Sequence, residues 1–299
     1  MDLAQFDWML YWFMFPVAVC VATTATLSGI GGAAIFTPIF MIIFPLLGPE
    51  YPLPSIAASI GVALLTATFG SSSGFLGYFR KRLVDFKSAV PCILVGAPVG
   101  VFGAVLLTSI KEYEEALRGA DALLMFVLVY VLIRRHIPAE GAPADVMPAP
   151  QIREIIARDG TAYSYAVPRH SIGAITTGLG GFLTGLLGVG IGEVVMPQLV
   201  KRNRLPFPVA VATSVFVVIA VFAAAGVTQI SLLVAGGGLA AVPWNVVIYT
   251  VPGVIIGGQI GPRLQGKVSP RALENAIGSL FAMIGIAMSY IAIRNSFFS

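Results

Sequence analysis

The sequence predicts an all-α integral membrane protein of two inverted repeats, each a broken re-entrant helical hairpin plus three transmembrane helices. Three observations carry that expectation: charge is scarce, the halves repeat, and the basic residues collect on one side of the resulting topology. Of 299 residues, 18 are Lys or Arg and 14 are Asp or Glu, so 11% of the chain is charged while 57% is hydrophobic. Mean hydropathy is +0.91. Soluble domains carry roughly 25% charged residues, and a fold of this size cannot wet its surface with so few. No period-2 alternation marks a β-barrel. The net charge of +4 and the pI near 9.2 would suggest nucleic acid in a soluble protein. In a membrane protein they are loop charges, and no nucleic-acid partner is expected.

Uncharged stretches mark the spans in order: 8–49, 51–79, 88–110, 170–192, 205–262 and 275–293. A membrane helix needs about 20 apolar residues rising 1.5 Å each. The stretch 205–262 therefore holds two spans, divided at Ala235-Gly236-Gly237-Gly238. Another span is expected near 116–134, with Arg118 and Asp121 in its first turns. Trp8, Trp12 and Trp244 fall near span ends as interface anchors. The N-terminus, Met1 to Asp7, lacks the positive region of a secretory signal, so the first apolar run reads as a membrane segment. The one long polar segment, 135–169, is rich in Pro and charge and reads as a cytoplasmic linker between a first membrane repeat (1–134) and a second (170–299). Within it, Gln151–Arg158 is read as capable of a short helix.

The halves match in order. Gly29-Ile30-Gly31-Gly32, followed by Pro38, pairs with Gly188-Val189-Gly190-Ile191-Gly192, followed by Pro197, at an offset of 188 − 29 = 159. Ala57-Ala58-Ser59 pairs with Ala212-Thr213-Ser214, Gly96 and Gly100 with Gly253 and Gly257, and Ala116-Leu117 with Ala272-Leu273. Eight simple spans would divide the basic residues almost evenly between the two sides. If the first segment of each repeat instead enters the membrane and returns, only Lys111, Arg118 and Arg294 lie outside, leaving 18 − 3 = 15 inside. The positive-inside rule prefers the second arrangement. It makes the repeats inverted, places both termini outside, and puts the chain in the cytoplasmic membrane as a multi-pass protein.

The candidate site is where the hairpins break. Glycine costs a helix interior about 1 kcal/mol relative to Ala and proline about 3, and irregular backbone survives in a membrane only when buried in protein or lining a polar cavity. Two half-helix N-termini, beginning near Gly32 and Gly192, would offer desolvated N–H donors to a small anion. The candidate substrate-binding residues are Gly29, Gly31, Gly32, Thr37, Pro38 and Ser59 in the first half. Those in the second are Gly188, Gly190, Gly192, Glu193, Pro197, Thr213 and Ser214. Ser28 also lies within reach in sequence. For Glu193, whose first-half counterpart is Ala34, two readings stand: proton coupling or gating, and capping of its own half-helix. Gly253, Gly257 and Gly261, like Gly96 and Gly100, read as helix-packing residues.

Other chemistry finds little purchase. Gly70-Ser71-Ser72-Ser73-Gly74 has the Gly-x-Ser-x-Gly spacing of serine hydrolases, but it sits inside a span without a preceding strand. Both histidines, His136 and His170, fall in or beside the linker, so the motif reads as small-residue packing or pore lining. Cys20 and Cys92 lie in apolar stretches without metal-ligand spacing. No nucleotide motif is present, so neither a cofactor nor a metal is expected, and the chain is not read as an enzyme.

The two Gly-x-Gly clusters with their following prolines resemble the TauE/SafE sulfite exporter family. So do Pro54 before Ala57-Ala58-Ser59, Pro208 before Ala212-Thr213-Ser214, the polar mid-chain linker and the glycine-spaced third spans. The first cluster has Ala33 and Ala34 where that family often carries further glycine. The resemblance covers essentially the whole chain. It implies a membrane transporter for small sulfur-containing anions such as sulfite or sulfonates, with site candidates at the two Gly clusters, Pro38 and Pro197. The expected function is therefore secondary export of such an oxyanion by alternating access, with proton coupling open. The alternatives are a channel-like or uptake permease for another small anion, an intramembrane enzyme using Ser72 or Glu193, and a non-transporting structural or sensory protein. The expected partners are the anionic substrate and the lipid bilayer. The Gly/Ala-rich spans permit a homodimer without requiring one.

Overall fold

Helix boundaries follow local chemistry. The computed structural model describes residues 6–109, 151–167, 173–268 and 279. The spans expected near 116–134 and 275–293 lie outside the described residues. Helix α1 (Met14–Ser28) ends at Gly29 in a left-handed conformation, φ 72°. Helix α2 (Ala33–Leu47) passes through a π turn at Ile39–Ile43, directly after Pro38. Helix α3 (Ile56–Arg80) starts on the Ser55 side chain, which accepts from the Ala58 N–H at 3.1 Å. Helix α4 spans Phe86–Ser109. In the second half, α5 (Gly173–Leu187) and α6 (Ile191–Pro197) are again broken by glycine, and a π turn at Gln198–Arg202 again follows a proline. Helices α7 (Phe207–Gly237) and α8 (Trp244–Leu264) complete the described part.

Helices α3, α4, α7 and α8 are long and apolar enough to cross a membrane; α1, α2 and α5 are apolar but shorter. The short ones pair into hairpins that return to the end they entered. The Tyr11 hydroxyl donates to the Tyr51 carbonyl at 2.6 Å and its ring stacks on Phe44 at 4.9 Å, joining the start of α1 to the end of α2. Gly173 at the start of α5 lies against Gln198 and Arg202 at the end of the second hairpin.

Packing repeats when the halves are exchanged. Helix α1 lies on α8 as α5 lies on α4; α8 lies on α3 as α4 lies on α7; and α2 lies on α3 as α6 lies on α7. Glycine makes the closest of these approaches. Gly253, Gly257 and Gly261 bring α8 onto the backbone of α1, and Gly181 and Gly185 meet the Gly96 and Gly100 carbonyls of α4. The central pair, α3 and α7, is antiparallel. Gly61 faces Gln229 and Leu233, Leu64 faces Gly226, and Phe75 stacks on Phe216 at 5.0 Å.

Charge is segregated by this arrangement. Every described Lys and Arg (Arg80, Lys81, Arg82, Lys87, Arg153, Arg158, Lys201, Arg202, Arg204, Arg263 and Lys267) lies at one end of the bundle. That end is held together by Lys81 donating to the Pro262 carbonyl and by the Asp85 N–H donating to Thr213 Oγ1 at 3.0 Å.

The linker segment corrects one expectation. Residues 151–158 do not form a helix: β1 (Gln151–Ile156) pairs antiparallel with β2 (Ala162–Val167), Arg153 opposite Tyr165. The β-branched Ile152, Ile155 and Ile156 favour a strand, and Asp159-Gly160, with φ 85° at Gly160, supplies the turn. The hairpin docks on the basic end through Asp85. Its carboxylate accepts from Tyr165 at 2.9 Å, Ser88 Oγ at 2.7 Å, the Lys87 N–H at 3.0 Å and the Arg153 guanidinium at 3.1 Å. Burial would raise the Asp85 pKa, but the Ser88 and Tyr165 hydrogen bonds and the Arg153 charge outweigh it and hold the carboxyl below its usual 3.8. A depressed carboxylate stabilises the folded form above the ordinary range and loses that contribution as pH falls through its folded pKa. Amide exchange across 151–167, corrected for intrinsic rate, should therefore stay slow in mild acid and accelerate only below pH 3.8. Arg153→Met should move that transition to higher pH.

Candidate functional site

The two hairpin tips meet inside the bundle. Gly29 and Gly188 both adopt left-handed φ, 72° and 78°, and close their half-helices by donating to the Ala25 carbonyl at 3.0 Å and the Thr184 carbonyl at 2.8 Å. Donors and acceptors are again 159 apart. Beyond each tip, Pro38 and Pro197 have no N–H to offer the carbonyls four residues back, those of Ala34 and Glu193. The chain widens there, and i→i−5 bonds from Phe44 to the Ile39 carbonyl and from Asn203 to the Gln198 carbonyl close the π turns.

Each tip rests on the other half. Gly29 packs on Val211 and Met196, and Gly188 packs on Thr37 and Ile60. Gly192 is so close to Ile30 and the Gly31 nitrogen that a methyl group there would collide with backbone. Ser214 Oγ donates to the Gly29 carbonyl at 2.8 Å. The structure thus brings together Gly29, Gly31, Gly188, Gly192, Thr37 and Ser214. It separates others. Gly32 faces Ala25 and Ala67 within its own half, Ser59 Oγ donates to the Ser55 carbonyl of its own helix at 3.1 Å, and Thr213 serves Asp85 at the basic end. Pro38 and Pro197 act on backbone path rather than as tip contacts.

The half-helix starts are chemically unequal. At α6 the Glu193 carboxyl accepts from the Gly190 N–H at 3.0 Å. Thr184 Oγ1 accepts from the Ile191 N–H at 2.8 Å and donates to the Gly180 carbonyl. At α2 the N-cap is Gly32 and no side chain caps it. Ser28 Oγ accepts from the Ile30 N–H at 3.2 Å. The geometry matches the capping reading of Glu193, which is itself buried.

Three participants escaped sequence reasoning. Thr184 lies seven residues before the N–H it caps, and its signal is a hydroxyl in an apolar run. Asp85 is the carboxylate just before a helix start. Gln229, fully buried in α7, presses its Cγ on Gly61, and its carboxamide makes no hydrogen bond among the described residues; the same holds for the hydroxyl of buried Thr37. The Gly70–Gly74 motif packs α3 on α8. Gly70 meets Val254, Gly74 meets Gly258, and Ser73 Oγ donates to the Ile255 carbonyl at 2.6 Å. No group of His, Cys, Asp or Glu able to hold a metal occurs among the described residues. Removing the cap should be measurable. Glu193→Ala strands a buried N–H and should lower unfolding free energy in detergent by about 1–3 kcal/mol. Glu193→Gln keeps an acceptor oxygen and should remain within about 1 kcal/mol of the parent.

Comparison with known proteins extends this geometry. The probable membrane transporter protein YunE of Bacillus subtilis is 24% identical over 275 residues, covering 92% of this chain and 95% of the relative. YjnA of the same bacterium, also described as a probable membrane transporter protein, is 23% identical, covering 90% and 95%. A probable membrane transporter protein of Methanocaldococcus jannaschii is 22% identical, covering 91% and 92%. No solved structure matches the chain. The sequence profile described as Sulfite exporter TauE/SafE matches residues 14–288. That stretch contains both broken hairpins and the four long apolar helices found among the described residues, and the chain belongs to the TauE/SafE sulfite exporter family, a family of membrane transporters.

Proposed function

We propose that the protein is a secondary transporter of small sulfur-containing oxyanions, sulfite or an organosulfonate, and exports them by alternating access. The observation that carries this reading is the meeting of two glycine-broken hairpins inside a bundle whose described membrane helices hold no Lys or Arg between their ends. Irregular backbone at that depth is the usual material of a transporter site. With no base nearby, backbone N–H groups at the start of α2 and tip hydroxyls supply the positive potential that an oxyanion needs. The family name supports the sulfur oxyanion and the outward direction.

Two structural facts support inverted repeats over residues 1–134 and 170–299. Helices α3 and α7, equivalent in the two halves, run antiparallel, and the packing pairs interchange when the halves are exchanged. An inverted pair has two related ways of leaning its halves together, which open the site to opposite sides. The Gly31–Gly192 contact is the seam along which the halves move. The basic end is cytoplasmic by the positive-inside rule. The linker then faces the cytoplasm and both termini lie outside. Glu193, buried beside the seam, is the group through which a pH gradient would act.

Proteoliposomes loaded with sulfite, sulfate or an organosulfonate, with and without a pH gradient, test the assignment. Efflux of sulfite or the sulfonate is expected, whereas flux of none of them, or preference for cations, defeats it. Topology is tested separately. In a background with Cys20 and Cys92 replaced by serine, an impermeant maleimide applied to intact cells should label S109C and spare K201C. Labelling of both from one side overturns the inverted arrangement.

A further inference from the structure

We infer that the Thr37 hydroxyl and the Gln229 carboxamide are the side-chain contacts for the transported oxyanion, at the tip of the second hairpin. This deepens the transporter reading and rests on it. Both side chains are fully buried, and the hydroxyl oxygen of one and both amide atoms of the other lack a hydrogen-bond partner among the described residues. Burying such groups unpaired is costly in any protein. Intramembrane polar groups persist mainly where a pathway or ligand uses them.

Their placement agrees. Gly188, the tip of the second hairpin, touches both Thr37 Oγ1 and Ile60 of α3, while the next residue of α3, Gly61, touches the Gln229 side chain. Ile60 and Gly61 are consecutive on α3, so the tip, the hydroxyl and the amide lie at one level of the bundle. The opposite tip behaves differently. The Gly29 carbonyl is engaged by Ser214 Oγ at 2.8 Å, whereas Ser59, the matching serine of the first half, bonds its own helix. The Gly29 carbonyl is latched by a side chain, whereas Gly188 lies against the uncommitted Thr37 hydroxyl.

The chemistry suits a small sulfur oxyanion. A primary amide offers two N–H donors and a threonine one O–H, three neutral donors for oxygens arranged about a single sulfur. Neutral donors bind without a fixed counter-charge, so the anion can leave again, and desolvation strengthens each bond.

The experiment measures transport and ligand-induced thermal stabilisation in the same purified protein, using sulfite and one organosulfonate, for Q229M, T37V and T37S. Q229M and T37V should each raise the half-saturating concentration about tenfold or more, as expected when a hydrogen bond to a charged ligand is lost. Both should leave ligand-free melting unchanged or higher, because no hydrogen bond among the described residues is removed. T37S should stay close to the parent. If the parent transports and both variants keep its half-saturation, this inference fails while the transporter reading stands. Lower ligand-free melting in both variants assigns the two groups a structural role and overturns it as well. If the parent moves neither anion and gains no stability from either, both readings fall.

Discussion

Backbone amides inside a bilayer have no water to bond, and that constraint organises this protein. A continuous helix satisfies its own N–H and C=O groups, so α4 and α8 can turn much of their surface to lipid while α3 and α7 lie largely buried between them. A broken helix cannot. The breaks after Ser28 and Leu187 each expose orphan groups, and the fold places both tips where other protein surrounds them. At Gly29 the free carbonyl receives Ser214 Oγ. At Gly190 and Ile191 the free N–H groups donate to Glu193 and Thr184. The antiparallel α3–α7 pair forms the wall against which both tips rest.

Glycine is the second part of the same solution. Surrounding a break requires helices to approach backbone to backbone, and a Cβ at Gly185, Gly192 or Gly257 would strike main-chain atoms of the partner segment. In hydrocarbon no hydrophobic force draws helices together, so close van der Waals contact has to hold them. The glycine stripes of α4, α5 and α8 supply it, clamping each broken hairpin to the third helix of the other half. The clusters at the tips have a different task, since Gly29 and Gly188 need left-handed φ to turn the chain.

Local chemistry was therefore the legible part of the sequence. Span positions followed from missing charges, the breaks from Gly and Pro, and the packing stripes from four-residue glycine spacing. The topology argument rested on where 18 basic residues sit, and the described ones do gather at a single end. Long-range partners were not legible. Thr213 shares a serine–threonine pair with Ser214, yet the two point to different tasks: Asp85 at the basic end and the Gly29 tip. A helix face separates them, and only the packed structure says what each face meets. The strand at 151–156 was missed for a related reason. Six residues with charges at 153 and 154 suit either state, and pairing with 162–167 decides between them. Gln229 shows the limit most clearly, because lacking a partner is a property of the surroundings, not of the residue.

The frame repeats across the two halves while the chemistry at matched positions does not. At the shared offset of 159, Ala25 corresponds to Thr184, Ala34 to Glu193 and Thr37 to Met196. The second half-helix start is thus capped twice by side chains that its counterpart lacks, and the unpaired hydroxyl belongs to the first half alone. On the alternating-access reading proposed above, chemically identical halves would lean together either way at equal energy, and access to either side would be equally populated. Each unmatched hydrogen bond removes that degeneracy. Ser214 on the Gly29 carbonyl and the Asp85 network at the basic end are two such unmatched sets. A ligand that bonds the opposite tip changes the balance only by as much as it prefers one arrangement over the other. On the transport reading, a difference of a few hydrogen bonds between otherwise equivalent halves is what gives a pseudo-symmetric machine a resting side.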